Sequence, residues 1–457
     1  MMQRERRKKS KGNLVNQLPW QEVMTEFSAL EIISEDEIES IHHASLDVLE
    51  RVGMKILHQD ARKIFKDAGL DVDESSQMVH FDRDLVLSNI SKAPREFALR
   101  ARNPKRDLKI GGNHIVFSAI GGPAFCSDLD RGRRRGTFED LCNYMKIIQS
   151  LNIIHQEGGM AFETIELPSS TRHLDFYLAQ FQLLDKNCQS SSMGKVRTKD
   201  CIDMHRIAFD CTREELLENP SVMGIINTNS PMQLDIPMSE ATIELARAGQ
   251  AVCVTPFTLS GAMAPIKQAG TLVQQNAEIL AVVTLTQLVR SSAPIIYGSF
   301  STNVDMRTGS PAFGTPEYIR STIAGGQLAR FYGFPYRSSN TNASNSVDAQ
   351  AIYESGMSLW ATIMSHANLV NHAAGWLEGG LTASFEKLII DAEMLQTISE
   401  SLKPIEVNSY NLGVETIESV GPGGHFFDTD QTMKNYSTEF YTPMISDWEN
   451  FENWKKN

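Results

Sequence analysis

The chain has no Cys-x-x-Cys pair and no histidine at finger spacing from a cysteine. Its six cysteines, Cys126, Cys142, Cys188, Cys201, Cys211 and Cys253, are scattered. That scatter argues against a structural zinc site, while a catalytic zinc with ligands distant in sequence stays open. Scattered thiols without an apolar signal segment fit a reducing cytoplasm. Positive charge is also short: 43 Lys and Arg against 56 Asp and Glu give a net charge of −13. Phosphate backbones need a basic face, so nucleic acid is not expected as a partner. No stretch reaches the roughly 18 apolar residues of a membrane span. The longest candidate, Ala277 to Val289, is broken by Thr284, Thr286 and Gln287 and reads as a buried helix. No G-x-G-x-x-G follows a strand pattern and no Walker A lysine is present, which removes the common nucleotide folds.

What is present is a soluble globular composition, 41% apolar and 22% charged. The first residues carry a basic run, Arg4, Arg6, Arg7, Lys8, Lys9 and Lys11. It reads as a solvated, disordered tail over residues 1–20, with docking on an acidic partner as the alternative. Residues 21–110 read as a mostly helical N-terminal region. Ser34 before Glu35, Asp36 and Glu37 starts one helix, Gln59 to Ala68 is a second, and Phe81 to Val86 leads into a third.

From residue 111 to 410 the rhythm changes. Eight short apolar runs, starting at His114, Asn152, Lys186, Val222, Ala251, Pro294, Pro335 and Leu369, each end in a polar loop before a helical pattern. Their mean spacing of roughly 36 residues is that of βα units, and eight units make a (β/α)₈ TIM barrel. An open doubly wound sheet is the runner-up. The loops after the strands carry Asn227, Phe257, Tyr297, Phe300, Ser338 to Asn345 and Asn371 to Glu378. They are polar and aromatic, with few fixed cations expected. Such a pocket suits a small polar ligand rather than a phosphorylated one. Residues 411–457 read as a C-terminal extension packed on the barrel, with a Gly-rich turn at Gly421 to Gly424 before His425.

The richest stretch is Val370 to Lys387, where His372, Trp376 and Glu378 follow a short apolar run and precede Gly379 and Gly380. A strand whose end opens into a polar loop is where α/β folds keep their chemistry. The plainer reading is a Gly turn between a buried strand and a surface helix.

With Val420-Gly-Pro-Gly-Gly-His-Phe, and with Tyr332-Gly-Phe-Pro before Asp348-Ala-Gln, this stretch resembles the trimethylamine methyltransferase family. These are corrinoid-dependent enzymes built on (β/α)₈ barrels. The founding trimethylamine enzymes hold the amine with a pyrrolysine, whereas this chain reads through with ordinary residues, Ser338 to Asn342 following Tyr336. Members without pyrrolysine are similar to glycine betaine methyltransferase.

The resemblance therefore implies methyl transfer from a quaternary amine, glycine betaine giving dimethylglycine as the first choice. The acceptor is the Co(I) cobalamin of a separate corrinoid protein. No tightly bound cofactor and no metal are expected, and a homo-oligomer in the cytoplasm is. Trimethylamine and other betaines (proline betaine, carnitine, butyrobetaine) are alternative donors, and a non-catalytic betaine-binding protein is the alternative of a different class.

On that reading Glu378 and His372 are the candidate catalytic residues. Trp376, Tyr336, Phe257, Phe300 and Tyr297 are candidates for an aromatic cage around the methylammonium. The plainer role of each aromatic is core packing. Glu378 pairs with the cation or else supports the site as a helix N-terminal carboxylate. His372 and His425 hydrogen-bond a substrate carboxylate, or serve as structural histidines. Asn227 completes the binding set, and Asp348 caps the helix that follows it.

Overall fold

The computed structural model describes residues 17–190 and 193–456. The basic run Arg4 to Lys11, and Ser191 and Ser192, lie outside them. The chain divides into two units, Gln21–Lys403 and Met1–Trp20 with Pro404–Asn457.

The larger unit begins with the short strand Val23–Met24, antiparallel to His114 and Ile115, and continues with three helices, α1 (Glu35–Arg51), α2 (Gln59–Asp67) and α3 (Arg83–Ile90), with the short strands Met54–Ile56, Asp71–Asp73 and Met78–His80 between them. Ser34 and Glu37 form a reciprocal capping box that satisfies two amides otherwise without partners, and Ile38, Ile41, Leu46 and Leu49 bury one face of α1.

Seven of the eight apolar runs supply a strand, and the run from Asn152 to His155 is instead followed by one, on the two residues expected in its loop: β1 (His114–Phe117), β2 (Gln156–Glu157), β3 (Asn187–Cys188), β4 (Met223–Ile226), β5 (Ala251–Val254), β6 (Ile295–Gly298), β7 (Tyr336–Ser339) and β8 (Leu369–Asn371). The helices between them are α4 (Phe138–Ser150), α5 (Arg172–Leu183), α6 (Gly194–Ala208), α7 (Arg213–Glu218), α8 (Ile236–Arg247), α9 (Gln268–Val289), α10 (Pro316–Tyr332) and α11 (Ala349–Met364). The helix α12 (Phe385–Ser401) follows β8. The fold is thus mixed α/β with a parallel sheet.

Strands β4, β5, β6, β7, β8 and β1 pair in parallel in that order. β2 pairs in parallel with β3. Single parallel bridges join Ser118 to Gln156 and Ser190 to Gly224. All four residues of β5 and of β6 are buried, as expected of strands covered on both faces.

Register decides which side chains share a face, because paired residues of parallel strands point the same way and neighbours alternate. Tyr297 pairs with Tyr336. Their hydroxyls donate to Asn276 Oδ1 of α9 and to the Thr322 carbonyl of α10, so this is the helix-covered face. Gly298 pairs with Arg337, Arg337 with Leu369, and Leu369 with Val116. These residues occupy the inner face, turned away from the helices. Two steps further along their strands, Ser339, Asn371 and Ser118 join it. Gln156 follows by its bridge to Ser118, then Asn187 by pairing and Gln189 by alternation.

The smaller unit holds short helices such as Val414–Val420 and Asp430–Asn435, with no buried residue among those described. Among the described residues no helix is long and apolar enough to cross a membrane.

Candidate active site

At the C-terminal ends of β5, β6 and β8 the loops bring five rings together. Phe257 lies 5.3 Å from Phe300, and Phe300 lies 5.8 Å from Trp376 and 6.1 Å from His372. His372 and Trp376 are 4.8 Å apart. Phe313, which sequence reasoning missed, fills the centre, 5.4 Å from Phe300 and edge-on to Trp376 at 5.6 Å. Its signal was slight, since it sits outside every strand–loop junction.

The Trp376 loop is pinned on both sides. The indole Nε1 donates to the Asn342 carbonyl at 2.9 Å, and Asn342 Nδ2 donates back to the Trp376 carbonyl at 2.8 Å. Asn340 Nδ2 donates to the Ala373 carbonyl, and the Gly375 amide donates to Asp391 at 2.9 Å. Gly380 must be glycine, because its φ is +93° and a Cβ there would lie 2.6 Å from the Trp376 ring. His372 and Glu378 hold φ of 52° and 56°, in the left-handed region that non-glycine residues seldom adopt.

Beneath the rings sits Arg337, with its guanidinium carbon 5.0 Å from the Phe300 centroid. It is 2% exposed, and its Nε and Nη1 have no hydrogen-bond partner. Burial pushes the guanidinium below the usual arginine value. Few fixed cations were expected at this end; the cation was inside the strand instead. A lone arginine in a strand buried on both faces was the available signal, since buried charge needs a partner.

Arg337 is not the only unsatisfied group. Ser118 Oγ, Gln156 Oε1, both Gln189 amide atoms, Ser339 Oγ and Asn371 Oδ1 are buried and unpartnered, and all belong to the inner face. Nearly all buried polar atoms in a folded protein are paired, so such a cluster marks space that a ligand or water completes.

His372 is held neutral: burial first, then the nearby Arg337 charge, push its imidazole well below the usual value. Its Nδ1 lies 3.4 Å from the Gly121 amide and its Nε2 lies 3.5 Å from Asn371 Nδ2.

Glu378 accepts from Arg133 at 2.6 and 2.9 Å and from Thr382 at 2.6 Å. Partial burial raises its carboxyl, but the Arg133 and Thr382 hydrogen bonds outweigh that and hold it below the usual range. Its charge is therefore already matched.

The structure separates the expected aromatic set. Phe257, Phe300 and Trp376 meet, while Tyr297 and Tyr336 lie on the helix-covered face, 6.4 Å from each other. Asn227 follows β4 and is exposed. His425 belongs to the smaller unit, exposed and 3.5 Å from Asp428. Asp348 caps α11, accepting from the Ala351 amide at 2.9 Å. Among the described residues no group of three His, Cys, Asp or Glu side chains is placed to hold a metal ion.

A family model described as trimethylamine methyltransferase (MTTB) matches residues 2–457. A glycine betaine methyltransferase of Desulfitobacterium hafniense is 37% identical over 93% of this chain and 88% of its own length. A trimethylamine methyltransferase, MttB, of the same species is 31% identical over 92% of this chain and 84% of its own. The crystal structure of the Methanosarcina barkeri monomethylamine methyltransferase (MtmB) is 12% identical, with a TM-score of 0.49 over 88% of this chain and 90% of that one.

Proposed function

The chain belongs to the trimethylamine methyltransferase family and is a methyltransferase, and on that premise we propose that it takes a methyl group from a quaternary amine that also carries a carboxylate. Glycine betaine, giving dimethylglycine, is the simplest such donor. The acceptor is the Co(I) corrinoid of a partner protein, so cobalamin arrives with the partner and is not held by this chain.

One observation carries the reading: Arg337 is buried with two guanidinium nitrogens unpartnered. A buried charge left unpaired is costly, and a carboxylate is the natural bidentate complement of that fork. Trimethylamine has no carboxylate to offer. Phe300, stacked near Arg337 and within the ring cluster, puts the cage for the methylammonium beside the carboxylate site. Phe257, Trp376 and Phe313 complete that cage, each contact worth about 0.5–2 kcal/mol. His372 packs against Phe300 and Trp376 and lines the same cage. Glu378, neutralised by Arg133, acts through the loop it anchors rather than as the partner of the ammonium.

The chemistry asks little more of the protein. The N–CH₃ bond breaks with its electron pair staying on nitrogen, and the leaving tertiary amine is neutral, so no general acid is needed. The acceptor corrinoid supplies the pair that forms the new bond to the methyl. The chain must orient one methyl toward the acceptor and exclude water. A full carboxylate against the nitrogen would stabilise the substrate more than a transition state whose positive charge is fading. Aromatic faces hold the cation more weakly and suit that requirement.

The strand pairings support a (β/α)₈ barrel, since the two single bridges link β1 to β2 and β3 to β4 in the same parallel sense as the rest. On that view residues 21–110 are the N-terminal extension and 411–457 the C-terminal one. The active end lies at the strand C-termini. A cytoplasmic homo-oligomer remains the expected state of the protein.

The deciding experiment follows methylcobalamin formation from reduced cobalamin and a panel of quaternary amines with purified protein. Product from a carboxylated donor is expected. No product from any donor would remove the reading.

A further inference from the structure

The stretch from Val370 to Lys387 ends on a residue that the methyl-transfer reading leaves unused. Lys387 is 0% exposed, and so is Asp391, one turn further along α12. The two form a buried ion pair, with the ammonium donating to Asp391 Oδ1. Taking both charges out of water commonly costs more than their attraction returns, so two well-packed apolar side chains would serve stability as well. What the pair supplies instead is directed hydrogen bonds.

Both partners grip the loop that carries Trp376. Asp391 Oδ2 accepts from the Gly375 amide at 2.9 Å, and the Ser384 amide donates to the Gly375 carbonyl at 2.9 Å. Gly375 is wedged there: its φ is +99°, and a Cβ would collide with the Tyr144 hydroxyl. Lys387 Nζ also donates to Ser355 Oγ of α11 at 2.9 Å. Asn342 Nδ2 donates to that same oxygen at 3.1 Å and to the Trp376 carbonyl at 2.8 Å. The Asn342 carbonyl in turn accepts from the indole Nε1. Gly375, Ser355 and Asn342 are buried as well. One ammonium thus joins two hydrogen-bonded routes, and both end at Trp376.

We propose that Lys387 and Asp391 are positioning residues: their ion pair sets where the Trp376 ring stands, and through it the line from the donor methyl to its acceptor. Both act through Trp376 and not on the substrate. The indole lies edge-on to Phe300 and Phe313, so a shift of this ring moves the wall against which the methylammonium rests. A misplacement of about 1 Å caused by a remote change can cost about 100-fold in rate. The inference rests on the methyl-transfer reading above, but part of its test needs no turnover.

Two double variants of the full chain are compared with the wild type. The first, Lys387→Met with Asp391→Leu, removes both charges at similar volume. The second, Lys387→Met with Asp391→Asn, also removes the charges but keeps an acceptor for the Gly375 amide. Thermal melts report folding, and methylcobalamin formation from glycine betaine and reduced cobalamin gives kcat and KM. Labelling with 5-fluorotryptophan gives a fluorine resonance for each of the five tryptophans, and Trp376→Phe identifies the one from Trp376. The first variant should melt no lower than wild type. Its kcat should nonetheless fall at least about tenfold, with KM moved less than about threefold, and its Trp376 resonance should shift or broaden. The second variant should recover part of kcat and of the native resonance.

Wild-type kcat or an unmoved Trp376 resonance in the first variant would overturn the proposal. So would a lowered melting temperature, or failure to fold, in both variants, because the pair would then serve stability. If only the first melts low, the second decides. There, reduced kcat with a displaced resonance upholds the proposal, and wild-type values of both overturn it. If the wild-type chain makes no methylcobalamin from any donor, the methyl-transfer reading falls, and the resonance alone decides whether the pair sets the ring.

Discussion

Arg133 holds Glu378 through two hydrogen bonds, 2.6 Å from Nε and 2.9 Å from Nη2, while its guanidinium carbon lies 3.6 Å from the Phe125 ring centre. The strand Gly132–Arg134 is thereby latched to the turn that follows Trp376. If the pair acts as a latch, Arg133→Ala and Glu378→Ala should each cut kcat/KM by roughly tenfold, by loosening the Trp376 loop. The double variant should be no worse than either single one. A Glu378→Ala loss far beyond that of Arg133→Ala would mean direct contact with the ammonium.

Arg337 separates binding from stability. Arg337→Met removes the carboxylate partner and should lower kcat/KM for a carboxylated donor by roughly 100-fold or more. The same change takes out a buried unpaired cation, so the melting temperature should stay level or rise. Arg337→Lys keeps the charge but loses the fork, and is expected to recover little activity. Wild-type turnover in Arg337→Met would remove the carboxylate site.

The two aromatic groups should behave differently. Trp376→Leu and Phe300→Leu are expected to raise KM for quaternary amines, each by about 0.5–2 kcal/mol of lost cation contact. Tyr336→Phe loses one hydrogen bond to the Thr322 carbonyl and should cost about 1 kcal/mol of stability with KM unmoved. A KM effect from Tyr336→Phe would restore it to the cage.

Glu157 predicts a pH dependence of stability. It is fully buried, and burial raises its carboxyl to about 7 despite hydrogen bonds from the Gly159 amide, Gln180 and the Met160 amide. Between pH 4.5, its ordinary value, and about 7 the unfolded chain has lost this proton while the folded chain keeps it. The folded state then binds more protons, so stability falls as pH rises through that window, by about 3 kcal/mol in all, and is flat above it. Chemical denaturation across this range should show that slope, and Glu157→Gln should flatten it.

Much of the scaffold was legible in the chain. Seven strands fall at apolar runs and the other, Gln156–Glu157, just past the run Asn152 to His155, and the caps at Ser34 and Asp348 sit where their side chains signal them. Both signals are local: strands buried on two faces, such as Ala251–Val254, favour apolar residues, and a cap must reach an amide three residues on. The motif from His372 to Glu378 was equally visible, and with it the family. The site was legible only in part. Phe257, Phe300, Trp376 and Tyr297 were chosen as loop aromatics and Tyr336 from the apolar run before its loop, and both tyrosines lie within strands of the parallel sheet.

The sequence by itself determined the order of elements and the chemistry at hand: aromatics, amides and one arginine in a strand run. Tertiary structure alone decided which of them meet. Tyr336 and Arg337 are neighbours in the chain, yet one bonds to α10 and the other faces Phe300. Successive strand residues point to opposite faces, so a single step in register exchanges core for site. Whether Glu378 was free for a substrate was likewise settled by Arg133, a residue far away in the chain that only folding brings to it.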